Sequence, residues 1–559
     1  MAVLGCTLLG PSSLVAKTFY VDPKNGSAGG DGSKSNPWKT FKQVVDDGLI
    51  ETRDWDNHPH NSSRTLVPKN QGAPVGPGDT ILLESGYHGA VEIQGAYNKK
   101  DITVKAAMGA TPKLSRLLLR AAENWVIDGL TISPSFAQSY ERRTMIDVDN
   151  HDWRGPSRNL TIKNCELYSV DDATSWSKND WDSKAANGIG VDGTNVKVVD
   201  NTIRNSNFGI SVGGDKAWVA RNTVDGFSGD GLRGLGDNDV FEYNVVKNAY
   251  DVNKNHDDGF QSWSYANGNV GDGVVKGMVL RGNLIINHED PSHPMRTSLQ
   301  GIGCFDGMFA DWTVENNVII TDHWHGITLS GARDSKIVNN TVIDLNESKP
   351  GPPWIKVGKH KDGTPSENVI IRNNLATSIQ AGQGVTADHN IEVKDYKKHF
   401  KAPGNFDLHL LKTSAAVDAG SSMGAPMADR DRVPRPQGMG IDIGAYEWHD
   451  GSAMPRDTGT NPMADVMADI AGDLGGNPGD DASGVDPMAD SYSPTGDHDI
   501  GGSTGADSSG GAGESTGGSE KEGCGCTSSP GGVPGSPIVL LLIVFAAGRR
   551  GARTSTGTP

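Results

Sequence analysis

The sequence predicts an all-β protein whose main domain is a right-handed parallel β-helix with three strands per rung. A short phrase recurs eight times between residues 160 and 376, and each copy is a run of β-formers, an asparagine and more β-formers. The spacings between the central asparagines are 37, 21, 22, 39, 34, 23 and 34 residues, which indicates a unit of about 22 residues with insertions. These asparagines are Asn164, Asn201, Asn222, Asn244, Asn283, Asn317, Asn340 and Asn374.

The composition of the copies indicates strands rather than helices. Val, Ile and Thr dominate with two-residue alternation, and Gly or Asn stands at the corners. A unit of about 22 residues accommodates three short strands and three turns, which is one rung of a β-helix. We expect the recurring asparagines to stack at one corner in a left-handed backbone conformation, with their amides bonded to the rungs above and below.

The two ends of the chain differ in composition from this region. Residues 1–16 are apolar and end in small residues before Lys17, which predicts a secretory signal peptide; the Val-Leu-Gly-Cys run at 3–6 also resembles a lipobox. Residues 449–523 carry 15 acidic and 2 basic residues and few large apolar ones, which predicts a disordered acidic linker. The chain has no basic stripe or aromatic–basic motif, so we expect no nucleic-acid partner.

Residues 17–448 are the predicted β-helix domain. It begins with TFYVDPKNGSAGGDGSKSNPWKTFKQVV and GPGDTILLESGYHG, where a short helix at 41–45 is expected to cap the open end of the solenoid. FDLHLLKTSAAVDAG and DRDRVPRPQGMGIDIGAYEW near its end are expected to cover the opposite end. The whole arrangement resembles secreted right-handed parallel β-helix proteins of the pectate-lyase-like kind. That resemblance implies a carbohydrate ligand.

Residues 524–559 form a distinct last segment. Cys524 and Cys526 precede an apolar run at 538–547, and Arg549, Arg550 and Arg553 follow it. Ten apolar residues are short for a membrane span. The three-part order resembles the C-terminal surface-sorting signal of myxobacterial proteins, which implies cleavage by a sorting protease and anchoring at the cell surface, on the outer membrane. A weak membrane anchor is the alternative.

Polar insertions in the repeat region follow one rule of placement. Each falls after an asparagine strand and before a strand that opens with Gly and an apolar residue, so we expect the long loops to emerge from one side of the β-helix. The opening strands are GIGV at 188, GISV at 209, GLRG at 231, GFQSWS at 259, GIGCFDG at 301 and GITLSG at 326.

Alignment of these strands predicts two columns of side chains, with neighbouring rungs about 4.8 Å apart. The residues just before each Gly are Asn187, Phe208, Asp230, Asp258, Gln300 and His325. The residues two places after each Gly are Gly190, Ser211, Arg233, Gln261, Gly303 and Thr328. One patch is therefore expected to contain Asp230, Arg233, Asp258, Gln261 and His325, overhung by His256 and Arg296.

Such a patch suits proton abstraction next to a uronate carboxylate. That reaction requires a base and a cationic group, or a bound Ca²⁺, to neutralise the carboxylate. The candidate bases are His256, His325, Lys254 and Arg233, and the candidate cation is Arg296. Asp230, Asp257 and Asp258 are candidate Ca²⁺ ligands, because this ion prefers clustered carboxylates.

The same patch also suits hydrolysis of a glycosidic bond. Asp230 and Asp258 on adjacent rungs would supply the two carboxyl groups, with one pKa raised by the other. In either reaction, Lys254 and Gln261 are candidate substrate contacts. The candidate sugar-stacking residues are Trp176, Trp181, Trp263 and Trp324.

The prediction from sequence is a monomeric, secreted, surface-anchored enzyme that cleaves a uronate-containing polysaccharide by β-elimination. The alternatives are a glycoside hydrolase or epimerase on the same fold, and a non-catalytic glycan-binding or adhesion protein. The predicted catalytic residues are Asp230, Arg233, His256, Asp258, Arg296 and His325.

Overall fold

The computed structural model describes residues 16–346 and 349–451. The predicted signal peptide up to residue 15, the acidic linker beyond residue 451 and the predicted sorting segment lie outside the described residues. Within the described part, one sheet of 34 strands winds through successive rungs, and strands of neighbouring rungs pair in parallel. The predicted right-handed parallel β-helix is confirmed.

Three ladders of parallel strands form the faces of the β-helix. Ladder 1 contains Ile146–Asp149, Ile189–Val191, Ile210–Val212, Leu232–Gly234, Asp258–Trp263, Gln300–Asp306, His325–Ser330, Trp354–Gly358 and Ser378–Ala381. Ladder 2 contains Arg158–Lys163, Lys197–Val199, Trp218–Ala220, Val240–Glu242, Val279–Arg281, Thr313–Glu315, Lys336–Val338, Val369–Arg372 and Val385–Asp388. Ladder 3 contains Thr131–Ile132, Glu166–Tyr168, Thr202–Ser206, Thr223–Phe227, Val245–Ala249, Leu284–Ile286, Val318–Ile320, Thr341–Ile343, Leu375–Ala376 and Ile391–Glu392.

The first rungs consist of longer strands and a capping helix. Thr18–Val21 and Thr80–Leu83 pair in parallel, and Gly86–Ala106 and Pro112–Asp128 each bend through all three faces. Helix α1, Phe41–Asp46, begins after Thr40, whose hydroxyl accepts a hydrogen bond from the Gln43 N–H at 3.1 Å. The helix buries Phe41 and Val44 in the main core, as the predicted cap requires. An antiparallel hairpin of Thr52–Trp55 and Leu66–Lys69 lies beside these rungs.

The interior is a continuous column of aliphatic side chains. Alternate residues of the short strands point inward, so Ile189, Ile210 and Leu232 stack on one another in ladder 1 and are buried. The resulting core runs from Phe19 to Ala376. Burial of this apolar surface is the main favourable contribution to folding.

An asparagine ladder stacks inside the corner between ladders 2 and 3. Each Asn Oδ1 accepts hydrogen bonds from both the backbone N–H and the side-chain Nδ2 of the asparagine one rung earlier, as Asn244 does for Asn222 at 2.9 and 3.0 Å. Each Nδ2 also donates to a backbone carbonyl. The residues of this ladder are Asn201, Asn222, Asn244, Asn283, Asn317, Asn340, Asn374 and Asn390.

Two details of the predicted ladder are wrong. Asn164 is not a member, because Lys163 pairs with Val199 and Cys165 therefore occupies the ladder position; its N–H donates to Asn201 Oδ1 at 2.9 Å. The left-handed conformation belongs to the residue before each ladder asparagine, such as Arg221 with φ of 55°. Asn164 itself lies in that left-handed column, with φ of 54°.

Insertions flank ladder 1 on both sides, whereas the sequence predicted one side. The predicted set lies between ladders 3 and 1 and includes helix α2, Lys178–Lys184. A second set lies between ladders 1 and 2. It contains the hairpin Tyr265–Ala266 and Asn269–Val270, and a small parallel sheet of Val274–Lys276, Met308–Ala310 and Ala332–Arg333. Because each insertion enters and leaves at a corner, ladder 1 is the floor of a groove.

The closing segment lies along the side of the β-helix, so its predicted place over the C-terminal end is wrong. A hairpin of Phe400–Ala402 and Asp407–Leu410 and the residues up to Trp448 pack on the outer face of ladder 3, where Ile320 and Ile343 are buried. The segment also holds a fully buried ion pair, with Arg435 Nη1 at 2.6 Å from Glu447 Oε2. The outer face of ladder 3 is apolar because this segment covers it.

The described residues include no helix that is long and apolar enough to cross a membrane.

The asparagine ladder leads to a stability prediction. Asn283→Ala removes the Oδ1 acceptor that two donors of Asn244 share, and the buried Asn244 N–H loses its partner. We expect the free energy of unfolding to fall by about 3 kcal/mol, measured by chemical denaturation. Asn269→Ala, in the exposed hairpin, is the matched control and should change it by less than about 0.5 kcal/mol. Equal losses in the two variants would contradict the structural role of the ladder.

Candidate functional site

The strand pairing brings the predicted columns together on ladder 1. Asp258 pairs with Gln300, and Arg233 pairs with Gln261, as the alignment of Gly-opened strands predicts. Both columns continue one rung beyond the prediction, since His325 pairs with Trp354 and Thr328 pairs with Lys356. These residues form the floor of the groove between the two sets of insertions.

An ion pair between Asp230 and Arg233 lies at the centre of this floor. Arg233 Nε is 2.5 Å from Asp230 Oδ2, and the guanidinium stacks 3.8 Å from the Phe208 ring centre and 5.2 Å from that of Trp263. The Asp230 side chain is only 1% exposed, whereas that of Arg233 is 25% exposed. Burial raises the pKa of Asp230, and the charge of Arg233 opposes this. Asp230 therefore orients Arg233 from below, and the cation is the group that faces the groove.

Asp258 is a second buried carboxyl group beneath the floor. Its backbone N–H donates to Asp230 Oδ1 at 3.1 Å, and its Oδ2 accepts from Gln261 Nε2 at 3.1 Å. Burial raises the pKa of Asp258 well above its usual value, and the charges of Asp230 and Asp257 raise it further. Asp258 therefore supports Gln261 and has no exposed surface from which to touch a substrate.

His325 lies two ladder positions beyond Asp258, after Gln300, and is held by three neighbours. Its Nδ1 is 2.9 Å from Thr328 Oγ1, which also accepts from Trp354 Nε1 at 3.1 Å. Its ring packs edge-on against Phe305 and Trp354, with ring centres 4.6 and 5.3 Å apart. Burial, then the charge of His323, lowers the pKa of His325 to about 3. The imidazole is therefore neutral at ordinary pH.

His256 and Lys254 are exposed on the insertion above the floor. His256 is close enough for its charge to lower the pKa of both Asp230 and His325. His256 therefore lies near this patch, and its place over the floor stays a prediction. Asp257, next in the chain, is buried and hydrogen-bonds to Thr297, so it does not face the groove.

The four candidate tryptophans occupy different environments. Trp181 is 1% exposed in a small cluster, and Trp176 packs edge-on against it with ring centres 5.2 Å apart, so Trp181 is structural rather than a sugar-stacking residue. Trp263 lies against Arg233 in the groove. Trp324 is 44% exposed and is nearly parallel to Trp354, with ring centres 6.2 Å apart. The two rings form an aromatic platform beside His325.

Arg296 does not join the patch. It pairs with the buried Asp322 and lines a cavity of about 200 Å³, whose other walls include Asn287, Leu345 and Phe406. None of the ladder 1 floor residues lines this cavity. The predicted role of Arg296 as the cation beside His325 is therefore not supported by its position.

The three candidate Ca²⁺ ligands do not fit a cation site as they are placed. Asp230 is paired with Arg233, Asp258 accepts from Gln261, and Asp257 faces Thr297. Among residues 16–346 and 349–451, no group of three or more His, Cys, Asp or Glu side chains is arranged to hold a metal ion. Calcium stays a prediction, and no step below depends on it.

Sequence reasoning missed four residues of the floor as functional candidates. Gln300 and Thr328 were in the predicted columns but carried no assigned role, although column position alone was a sufficient signal. Trp354 and Lys356 were not aligned, because their strand opens with Pro353-Trp354 instead of Gly and an apolar residue. Lys356 Nζ lies 4.8 Å from the Trp354 ring centre, which places a second cation near His325.

Comparisons with known proteins return solved structures alone. No protein-family profile matches the chain, and no curated protein matches it. The pectate lyase Pel9A is 14% identical, with a TM-score of 0.36 over 78% of this chain and 98% of that chain. The A-module of the Azotobacter vinelandii mannuronan C-5 epimerase AlgE6 is 13% identical, with a TM-score of 0.38 over 56% and 91%. A rhamnogalacturonan lyase is 14% identical, with a TM-score of 0.37 over 68% and 85%. Similarity at this level leaves the reaction of this chain open.

The depressed histidine pKa values lead to a pH prediction. The pKa of His323 is lowered to about 4 and that of His325 to about 3, so the unfolded state binds more protons than the folded state between these values and about 6.5. Folding stability should therefore fall as pH falls through this window, by up to about 1.4 kcal/mol per pH unit for each group.

Denaturation curves at several pH values measure this slope. His325→Gln should reduce it, because one titrating group is removed, and the double variant with His323→Gln should reduce it further. A slope in the double variant as steep as that of the wild type would contradict the burial of neutral imidazoles at these two positions.

Proposed function

We propose that the groove over ladder 1 binds a uronate-containing polysaccharide and cleaves it by β-elimination. The observation that carries this proposal is the placement of the charged groups. The Arg233 side chain, 25% exposed, faces the groove, while Asp230 and Asp258 are buried beneath it. A polyanionic sugar chain therefore meets a cation and amide groups, and is separated from the carboxyl groups. Buried carboxylates that orient a cation hold it in place without repelling an anionic ligand.

Arg233 is suited to hold and neutralise the substrate carboxylate. Its Nε is engaged by Asp230, and among the described residues its two terminal nitrogens have no hydrogen-bond partner, which leaves a planar pair of donors. Stacking between Phe208 and Trp263 fixes the plane of the guanidinium. Neutralising the carboxylate stabilises the negative charge that develops when the neighbouring carbon loses its proton.

His256 is the proposed base. It is exposed on the insertion above the Arg233 cation, where an imidazole lone pair can reach a sugar bound on the floor. The base takes the proton from the carbon next to the carboxylate, the electron pair forms a carbon–carbon double bond, and the bond to the leaving sugar oxygen breaks. His325, which is neutral, lies three rungs beyond Arg233 on the ladder, about 14 Å away, and is placed to hydrogen-bond to another sugar of the same chain.

The aromatic platform is the proposed site for the neighbouring sugar. Trp324 and Trp354 stack nearly parallel, at an angle of 11°, and the exposed Trp324 ring offers a flat apolar surface of the kind that packs on a sugar ring. Lys356 adds a cation at the same end. Trp354 lies four rungs beyond Arg233 on the same ladder, about 19 Å away at the usual strand spacing, so a sugar chain that contacts both runs along the groove.

Hydrolysis is less well supported by the same geometry. A glycosidase places two carboxyl groups against the scissile bond. Here Asp230 and Asp258 are both buried, and each is bonded to the side chain that covers it. A glycan-binding function without catalysis would use the platform and Arg233 but would not require His256 or His325.

Secretion and anchoring at the cell surface are part of the proposal and rest on the sequence alone. The signal peptide at 1–16 and the sorting segment at 524–559 motivate them. The acidic linker at 449–523 would then act as a tether that keeps the enzyme away from the membrane. We propose a monomer whose partners are the polysaccharide and the sorting protease.

A panel of uronate polymers tests the reaction. Full-length protein is incubated with polygalacturonate, alginate and glucuronate-containing glycans, with and without added Ca²⁺, and the ultraviolet absorbance of the unsaturated product is followed. Absorbance from one polymer supports elimination. New reducing ends without absorbance would establish hydrolysis instead, and binding without either product would establish a glycan-binding protein.

The role of Arg233 leads to a kinetic prediction. Arg233→Met retains the stacking between Phe208 and Trp263 but removes the cation, and kcat on the active polymer should fall by about 100-fold or more. Arg221→Met is the matched control, because Arg221 pairs with Asp200 at an exposed corner outside ladder 1. Similar activity in the two variants would exclude Arg233 as the neutralising group.

A further inference from the structure

Trp354 and Thr328 form a directed hydrogen-bond chain that ends on His325. The indole Nε1–H of Trp354 is 3.1 Å from Thr328 Oγ1, and an indole nitrogen is a donor only. The Thr328 oxygen therefore accepts this bond. Thr328 is 3% exposed, so water does not readily replace either of its partners.

The hydroxyl proton of Thr328 then determines the state of His325. Among the described residues, the Thr328 hydroxyl has two partners, the Trp354 indole and His325 Nδ1 at 2.9 Å. Since the indole cannot accept, His325 Nδ1 is the acceptor for the hydroxyl proton. If Nδ1 carried the ring proton instead, the buried Thr328 hydroxyl would be left without an acceptor, which costs free energy.

The neutral His325 imidazole carries one ring proton, and the hydrogen bond that Nδ1 accepts from Thr328 leaves this proton on Nε2. Burial keeps the imidazole neutral, since its pKa is lowered to about 3. The edge-on contacts with Phe305 and Trp354 restrict the orientation of the ring. Nε2 lies on the edge of the ring opposite Thr328, so an N–H donor is directed away from the chain that fixes it.

We propose that Thr328 and Trp354 are positioning residues that hold His325 as its Nε2–H tautomer, so that His325 offers a hydrogen-bond donor to the groove and not a base. The functional meaning rests on the proposed elimination, in which this donor holds another sugar of the same chain while His256 takes the proton at the sugar bound by Arg233. The tautomer itself does not depend on which reaction the groove performs.

Nitrogen-15 NMR of the histidine side chains tests the proposal without a substrate. Full-length protein labelled on histidine is measured at neutral pH, and the His325 signals are assigned by their loss in His325→Gln. We expect a protonated Nε2 and an unprotonated Nδ1 whose chemical shift shows an accepted hydrogen bond. A protonated Nδ1 in the wild-type protein would overturn the proposal.

Three variants separate the chain from general packing. Thr328→Val keeps the shape but removes the hydroxyl, so the Nδ1 signal should move to the position of a nitrogen without a hydrogen bond. Thr328→Ser keeps the hydroxyl and should retain the wild-type signal. Trp324→Phe removes the other indole N–H of the platform and should leave His325 unchanged. An Nδ1 signal unaffected by Thr328→Val, or moved equally by Trp324→Phe, would overturn the proposal.

Kinetics on the active polymer distinguishes this failure from failure of the proposed reaction. Thr328→Val should raise KM by about 3-fold or more with little change in kcat, because a hydrogen bond to the sugar chain is lost, and Thr328→Ser should restore most of the wild-type KM. If no polymer is cleaved, the elimination fails while the tautomer measurement still decides the hydrogen-bond chain. An unchanged KM in Thr328→Val with an altered Nδ1 signal would overturn the positioning role.

Discussion

The shared hydrogen bond between successive asparagines is the interaction on which this β-helix depends. A tight corner exposes backbone N–H groups toward the inside, where water cannot reach them, and an unpaired group there costs as much as a lost hydrogen bond. Asn317 Oδ1 accepts from one such backbone N–H, that of Asn283, and from the Asn283 side-chain Nδ2, and Asn317 in turn donates to Asn340. Each asparagine therefore accepts hydrogen bonds from the rung before it and donates hydrogen bonds to the rung after it. These hydrogen bonds keep each corner tight, and tight corners keep the three faces of the β-helix flat.

Because the faces are flat and their strands pair in parallel register, the position of a residue within its strand determines where it lies on the face. In ladder 1, each residue lies directly above its counterpart one rung earlier, so side chains separated by a loop of any length meet on one surface. This is how Asp258 comes to support Gln261 and to lie against Asp230, although an insertion separates them in the chain. The same stacking forces carboxyl groups close together, and their burial shifts them away from the charged form. The chemistry of the groove is therefore set by the side chains that remain exposed to water, which are Arg233 above Asp230 and Gln261 above Asp258.

The sequence was sufficient for the scaffold and for most of the floor, because both are governed by periodicity. The register of Arg233 and Gln261 could be read from the glycine that opens each strand. The environment of a loop residue could not be read in this way. Trp181 is buried and Arg296 pairs with Asp322, since loops fold back on themselves and choose partners from distant segments. The path of the closing segment was also hidden, because an apolar outer face of ladder 3 has the same pattern as an inner one.

The two columns on either side of a Gly, and the asparagine at the next corner, recur together in the six successive rungs that open at 188, 209, 231, 259, 301 and 326. A tandem duplication of one such rung in the gene would therefore bring its own ladder asparagine, its own corner and its own floor residues. These would already be in register with those of the neighbouring rungs. Such a fold can lengthen by internal duplication without a period of disrupted packing, in steps of about 22 residues. A longer groove binds more sugars of a polymer, so the reach of the protein along its ligand is open to change by copying, while the chemistry at Arg233 and His325 stays as it is.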